Sequence, residues 1–112
     1  VPADSFRING LNIIARGFVN LDVCTPKVEA CLESITDYVI RSAKRSPAWM
    51  RTEGDLCAFT TVIAEAVVKG WTCAPKLLNQ LEAQPALVRR GANQRELSQL
   101  ESMLERAQMS LA

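Results

Sequence analysis

The sequence predicts an all-α protein: a small bundle of four main helices plus one short helix, in a single domain of residues 1–112. Three observations predict this fold. Apolar residues recur every three or four positions along most of the chain, as they do on one face of a helix. Helix-starting residues precede these stretches, and proline or glycine follows them. No segment after residue 23 has the regular alternation of a strand.

The first 23 residues allow two interpretations. From Phe6 to Ile13, apolar and polar residues alternate around Asn9-Gly10, a pattern typical of a β-hairpin with a two-residue turn. A competing pattern predicts a helix from about residue 10 to residue 22, with Asn9 as its candidate N-cap. A two-stranded hairpin is only marginally stable when no other strand pairs with it, so we favour the helix. Its predicted apolar face consists of Leu11, Ile14, Phe18 and Leu21.

The next two helices have clearer start signals. Thr25 is a good N-cap, and Pro26 suits the first helical position because no N–H is needed there. Pro47 closes this second helix. Thr52 opens a capping-box pattern for a third helix, which stops near Gly70. The third helix carries the widest apolar face, so we expect it to be the central and most buried helix.

Two further helices complete the predicted bundle. Pro75 opens a short helix that ends at Pro85, and Asn93 with Glu96 forms a capping box before the final helix. The apolar residues of the final helix repeat with the spacing of a heptad seam. Such a seam can pack inward or against a second copy of the chain, and we predict a homodimer that uses it. The seam consists of Leu97, Leu100, Leu104, Ala107 and Leu111.

Composition argues against catalysis and against nucleic-acid binding. The chain contains no histidine, so neither a Ser-His nor a Cys-His nucleophile pair can form. Carboxylate pairs such as Glu29 with Glu33 lie opposite the apolar faces, where water solvates them. The 13 basic and 12 acidic residues leave a net charge of +1, which gives no field to attract nucleic acid or a membrane. We therefore expect a binding protein and not an enzyme, with no cofactor and no metal.

Four cysteines limit the remaining chemistry. Cys31 and Cys57 fall on predicted apolar helix faces, where a thiol acts as a small hydrophobic group. Cys24 and Cys73 share a Cys-x-Pro-Lys pattern before a helix. A helix N-terminus and a nearby lysine both lower a thiol pKa, so one interpretation is a reactive thiol. We favour ordinary half-buried cysteines, reduced in a cytoplasmic protein, over the alternative of a secreted four-cysteine helical domain with disulfides.

Large side chains in two interhelical connections are the candidates for partner binding. Tryptophan and arginine are enriched among binding hot spots, and methionine suits adaptable surfaces. Trp49 and Met50 lie close to Arg45 and Arg51 in the sequence, and Trp71 lies in the next connection. The alternative interpretation is that both tryptophans cover the ends of the helical core.

The run F-R-I-N-G-L-N-I-I-A-R-G-F-V, from Phe6 to Val19, adds a family resemblance. In this run, and in its size and helical character, the chain resembles the QslA family of bacterial quorum-sensing antiactivators. The resemblance implies a protein that binds the ligand-binding domain of a LuxR-type transcription regulator such as LasR, and blocks its dimerisation and DNA binding. It assigns no individual binding residue. A secretion chaperone or a toxin-neutralising helical protein is the alternative.

Overall fold

The structure, a computed structural model, describes residues 3–21, 23–45, 53–88 and 94–111. Its elements are α1 (Ala3–Asn20), α2 (Pro26–Arg45), α3 (Glu53–Val68), α4 (Ala74–Glu82), α5 (Pro85–Val88) and α6 (Gln94–Leu111). These ranges contain no strand, so the predicted all-α fold is confirmed. Four long helices and the short α4 match the prediction, and the single turn of α5 is an addition.

The N-terminal helix differs from the prediction in its start and in its buried face. α1 begins at Ala3, well before the predicted start near residue 10, so residues 6–13 are helical and form no hairpin. Ile14 and Leu21, two members of the predicted apolar face, are 50% and 51% exposed. The residues that α1 buries are instead Ile8, Asn12, Ala15 and Val19.

The buried face of α1 contains one polar residue, Asn12, which explains why the sequence pattern did not reveal this face. A polar residue in the middle of the buried face weakens its apolar pattern in the sequence. In the fold, Asn12 Nδ2 donates a hydrogen bond of 3.1 Å to the main-chain oxygen of Asp55, at the start of α3. Further along both helices, Lys69 Nζ, just after α3, donates a hydrogen bond of 2.7 Å to the main-chain oxygen of Val19, near the end of α1. These two bonds show that α1 and α3 run parallel.

Two predicted helix ends have the expected capping geometry. Thr25 Oγ1 accepts a hydrogen bond of 3.2 Å from the N–H of Val28, so Thr25 caps the start of α2. After α3, Gly70 adopts a φ of 84°. The N–H groups of Gly70 and Trp71 then donate to carbonyls in the last turn of α3, at 2.9 and 3.0 Å. This pair of bonds is a Schellman motif, in which glycine supplies the left-handed conformation that other residues adopt at a cost.

The third helix lies at the centre of the bundle, as predicted. α3 packs against α1, α4, α5 and α6, while α2 packs against α1 and α4. Side chains from every turn of α3 enter the core: Leu56, Phe59, Val62, Ile63, Ala64, Ala66 and Val67. Burial of this apolar surface is the main stabilising contribution to the fold.

Candidate partner-binding surface

An apolar groove lies between α1 and α2 on the outside of the bundle. Its volume is about 450 Å³. Three of its lining residues come from α1 and three from α2: Gly10, Leu11, Ile14, Ser34, Ile35 and Tyr38. Because α1 and α2 are joined by a short connection, the two sides of the groove are held together by the fold.

Small residues on both helices open the groove. Gly10 has no side chain, and a Cβ placed there would meet no atom within 4 Å. Ser34 is the smallest groove residue on α2. These two positions leave room beside the larger side chains of Ile14 and Tyr38, so the groove results from the order of small and large residues along two helices.

Exposed apolar and charged residues lie next to the groove residues along both helices. Ile13, the neighbour of Ile14 in the sequence, is 68% exposed and extends the apolar surface of α1. On α2, Arg41 Nε lies 3.1 Å from Asp37 Oδ2 in an exposed ion pair one turn from Tyr38. An apolar centre bordered by charged groups is the usual composition of a protein-binding surface.

Of the five residues that the sequence nominated for partner binding, the structure describes Trp71 in full and Arg45 only as part of α2. Trp49, Met50 and Arg51 lie outside the described residues. Arg45 is the last residue of α2, and its side chain is also outside the description. Trp71 is only 7% exposed and belongs to the hydrophobic core, so the structure moves it from the predicted surface to the interior.

The Schellman motif explains the burial of Trp71. The residue that follows the left-handed glycine commonly packs back on the last turns of the helix. Trp71 holds this position, directly after Gly70. The position therefore agrees with the alternative in which the tryptophan covers the end of the core.

The predicted seam of α6 faces the protein's own core over most of its length. Leu97 and Leu100 pack with Cys57 of α3 in a second apolar cluster, against which Leu104 is partly buried. Ala107 joins the main core, and only Leu111 is largely exposed, at 56%. The inward arrangement accounts for these contacts, and the homodimer stays a prediction.

Ile13, Ile14 and Tyr38 are the surface residues that sequence reasoning missed. The available signal was an excess of apolar residues in α1, more than one face of a helix can bury. Of the predicted face, Leu11 and Phe18 pack against the core, whereas Ile14 stays half exposed and lines the groove.

A second cleft, of about 540 Å³, lies between α1, α3 and α6 and is polar. Arg16 Nη1 donates to both carboxylate oxygens of Glu65, at 3.2 and 3.0 Å, so these charges compensate each other. Thr61, on the same wall, donates its hydroxyl hydrogen to the main-chain oxygen of Cys57 at 2.9 Å. The Arg16–Glu65 pair joins α1 to α3, whereas the Thr61 bond lies within α3, and neither contact nominates a nucleophile or a base.

Nowhere in residues 3–21, 23–45, 53–88 and 94–111 do three or more Cys, Asp or Glu side chains cluster in a way that could hold a metal ion. Over the same part of the chain, every helix lacks either the length or the apolar character needed to cross a bilayer.

Comparison of the chain with protein-family models, with curated proteins and with solved structures found no match.

Proposed function

We propose that this protein is a small regulatory binding protein, an antiactivator that binds the ligand-binding domain of a LuxR-type transcription regulator. In this proposal it covers the surface through which the regulator dimerises, and so prevents the regulator from binding DNA. The exposed apolar groove between α1 and α2 is the observation that supports this proposal most directly. The family resemblance supplies the class of partner.

The groove suits one helix of a partner. An amphipathic helix commonly binds by placing its apolar side chains in a groove between two helices. Dimerisation surfaces of regulators are rich in apolar side chains, because obligate subunit interfaces resemble a core divided in two. Leu11, Ile14 and Ile35 offer the apolar side of such a contact, and the Asp37–Arg41 pair lies close by on α2. The protein acts in this proposal as a cytoplasmic homodimer, without a cofactor and without catalysis.

A binding measurement tests the proposal. The purified full-length protein is titrated into the ligand-binding domain of a LuxR-type regulator, and the dissociation constant is measured by calorimetry. Ile14→Lys places a charge in the groove at a position that is half exposed. We expect its affinity to fall at least about tenfold, which corresponds to about 1.4 kcal/mol.

Met109→Lys is the matched control, since Met109 is 71% exposed on α6 and does not line the groove. It should bind like the wild type. Circular dichroism and thermal unfolding should show that both variants keep the fold. Equal affinity for the Ile14→Lys variant and the wild type would contradict the role of the groove, and no binding by the wild type would contradict the choice of partner.

A further inference from the structure

Two cysteines that are far apart in the sequence lie side by side in the fold. Cys24 belongs to the connection before α2, and Cys73 directly precedes α4. Each thiol influences the pKa of the other, so the two groups are near neighbours. Both are partly buried, both pack against the main hydrophobic core, and neither is in a disulfide.

Glu29 fixes this arrangement from the first turn of α2. The Cys24 thiol donates a hydrogen bond of 3.4 Å to Glu29 Oε1. The hydroxyl group of Thr72 donates a hydrogen bond of 3.0 Å to the same oxygen. One carboxylate atom thus holds the connection before α2 and the turn before α4 together. Since Cys73 follows Thr72 directly, these bonds hold the chain at Cys73 close to the Cys24 thiol.

We propose that Cys24 and Cys73 are a disulfide-forming pair, which a low-molecular-weight disulfide such as oxidised glutathione converts into a covalent link between the start of α2 and the start of α4. The proposal goes beyond the proposed function, because it requires neither a partner nor the apolar groove. The shared Cys-x-Pro-Lys pattern then places one cysteine of the pair before each of the two helices.

The reaction is thiol–disulfide exchange in two steps. The thiolate of one cysteine attacks a sulfur of the glutathione disulfide, forms a mixed disulfide and releases one glutathione thiolate. The thiolate of the other cysteine then attacks the protein sulfur of this mixed disulfide, which forms the Sγ–Sγ bond and releases the second glutathione. Two protein thiols are oxidised, one glutathione disulfide is reduced to two thiols, and the two cysteine protons pass to the released glutathione.

The surroundings of the pair favour a slow structural link over a fast catalytic dithiol. Burial, the hydrogen bond to Glu29 and the charge of Glu29 raise the pKa of Cys24 to about 11. Burial and the charge of Glu29 raise the pKa of Cys73 as well. These directions are opposite to the lowered pKa of the reactive-thiol interpretation. Few thiolates are present at neutral pH, so exchange proceeds slowly, as it does at structural cysteines.

The other two cysteines have different surroundings. Cys57 is buried in the second apolar cluster with Leu97 and Leu100. Cys31 lies within α2, and the structure gives it no disulfide partner in the described residues. Cys31→Ser is therefore a suitable control for substitutions of the proposed pair.

The test uses the full-length reduced protein. It is incubated natively with oxidised glutathione at mildly alkaline pH, free thiols are blocked with N-ethylmaleimide, and the products are analysed by intact and peptide mass spectrometry. We expect the oxidised protein to carry two fewer N-ethylmaleimide groups than the reduced control, with no glutathione on Cys24 or Cys73, and to give a Cys24–Cys73 cross-linked peptide. The oxidised form should unfold at a temperature about 10 °C higher than the reduced form, since the bond closes a long loop.

Variants separate this pair from other products. Cys24→Ser and Cys73→Ser should abolish the cross-link and leave a glutathione adduct on the remaining cysteine of the pair, whereas Cys31→Ser should keep the cross-link. The wild-type peptide map decides the matter even if a variant fails to fold. A map with only glutathione adducts, or with another pair of cysteines linked, would overturn the proposal.

Discussion

Asp55 lies in the first turn of α3, where burial and the negative charge of Glu96 raise the pKa of its carboxyl group above the ordinary value of 3.8. The two carboxylates come close because Gly54 has no side chain: a Cβ there would lie 2.7 Å from Glu96 Oε2. The starts of α3 and α6 therefore meet through two like charges at neutral pH.

Asp55→Asn should change the pH dependence of stability. A carboxyl whose pKa is higher in the folded than in the unfolded state binds protons more readily when folded. The stabilising contribution of the Asp55 carboxyl to the free energy of unfolding is therefore fully present below about pH 4. It is lost as the pH rises through the pKa of the folded state. The free energy of unfolding of the asparagine variant, relative to that of the wild type, should be higher at pH 7 than at pH 3. The change should be less than about 1 kcal/mol because the site is partly solvated.

Urea unfolding at pH 3, 5 and 7 measures this effect. Glu96→Gln is the paired control, since it removes the charge that acts on Asp55 without changing Asp55 itself. The variant should reduce the pH dependence in the same direction. A stability difference between Asp55→Asn and the wild type that stays constant from pH 3 to pH 7 would contradict a raised pKa.

At the scale of the element, α1 combines two tasks that compete for its surface. It buries Ile8, Ala15 and Val19 against the core and leaves Ile13 and Ile14 in water. It also carries two glycines within its length, each of which costs about 1 kcal/mol relative to alanine in a helix. Destabilising residues are often kept where a function needs them. Of the two glycines, Gly10 lines the groove and Gly17 does not.

Gly10→Ala and Gly17→Ala should therefore have the same effect on stability and different effects on binding. A Cβ at either position meets no atom within 4 Å, so each variant should gain about 0.5–1 kcal/mol of stability. Gly10 lines the groove and Gly17 does not. In the calorimetric titration against the LuxR-type ligand-binding domain, only Gly10→Ala should bind more weakly. A weaker affinity for both variants, or for neither, would show that the space at Gly10 does not matter.

At the scale of the whole molecule, one set of apolar residues cannot serve both the core and a dimer seam. Leu97 and Leu100 already pack within the protomer, and Phe59 and Ala107 lie in the main core without exposed surface. Of the helices in the described residues, α6 packs most extensively on α3, so these apolar residues of α6 are needed within the protomer. A homodimer, if formed, would require surface that the protomer does not already use.

Leu100→Ala and Leu111→Ala distinguish the two uses of the seam. Leu100 is 3% exposed, and its truncation should cost about 2–5 kcal/mol of unfolding free energy at every protein concentration. Leu111→Ala should change stability by less than about 0.5 kcal/mol. Urea unfolding combined with light scattering is the measurement. If Leu100→Ala instead dissociated a dimer without destabilising the protomer, the seam would be an intermolecular contact.

The fold class and two helix ends, at Thr25 and Gly70, were predictable from the sequence because they depend on near neighbours, whereas the predicted start of α1 near residue 10 was wrong. Thr25 and Gly70 act through hydrogen bonds between residues only a few positions apart in the sequence. The start of α2 and the end of α3 therefore lie where the pattern predicted them. The groove was not predictable in the same way. Its existence depends on which of two apolar stripes of α1 meets the core, and periodicity alone gives them equal weight.

What the sequence by itself determined is therefore local: an all-α chain, the capped helix ends at Thr25 and Gly70, and a wide apolar face on α3. Only the tertiary structure decided the rest. Packing on α3 buried the stripe of α1 that contains Asn12, which donates to Asp55, and the hydrogen bonds of Glu29 brought Cys24 close to the chain at Cys73. The physical reason is the separation in sequence of the interacting residues. Capping joins residues a few positions apart, whereas contacts between distant parts of the chain decide which face is buried.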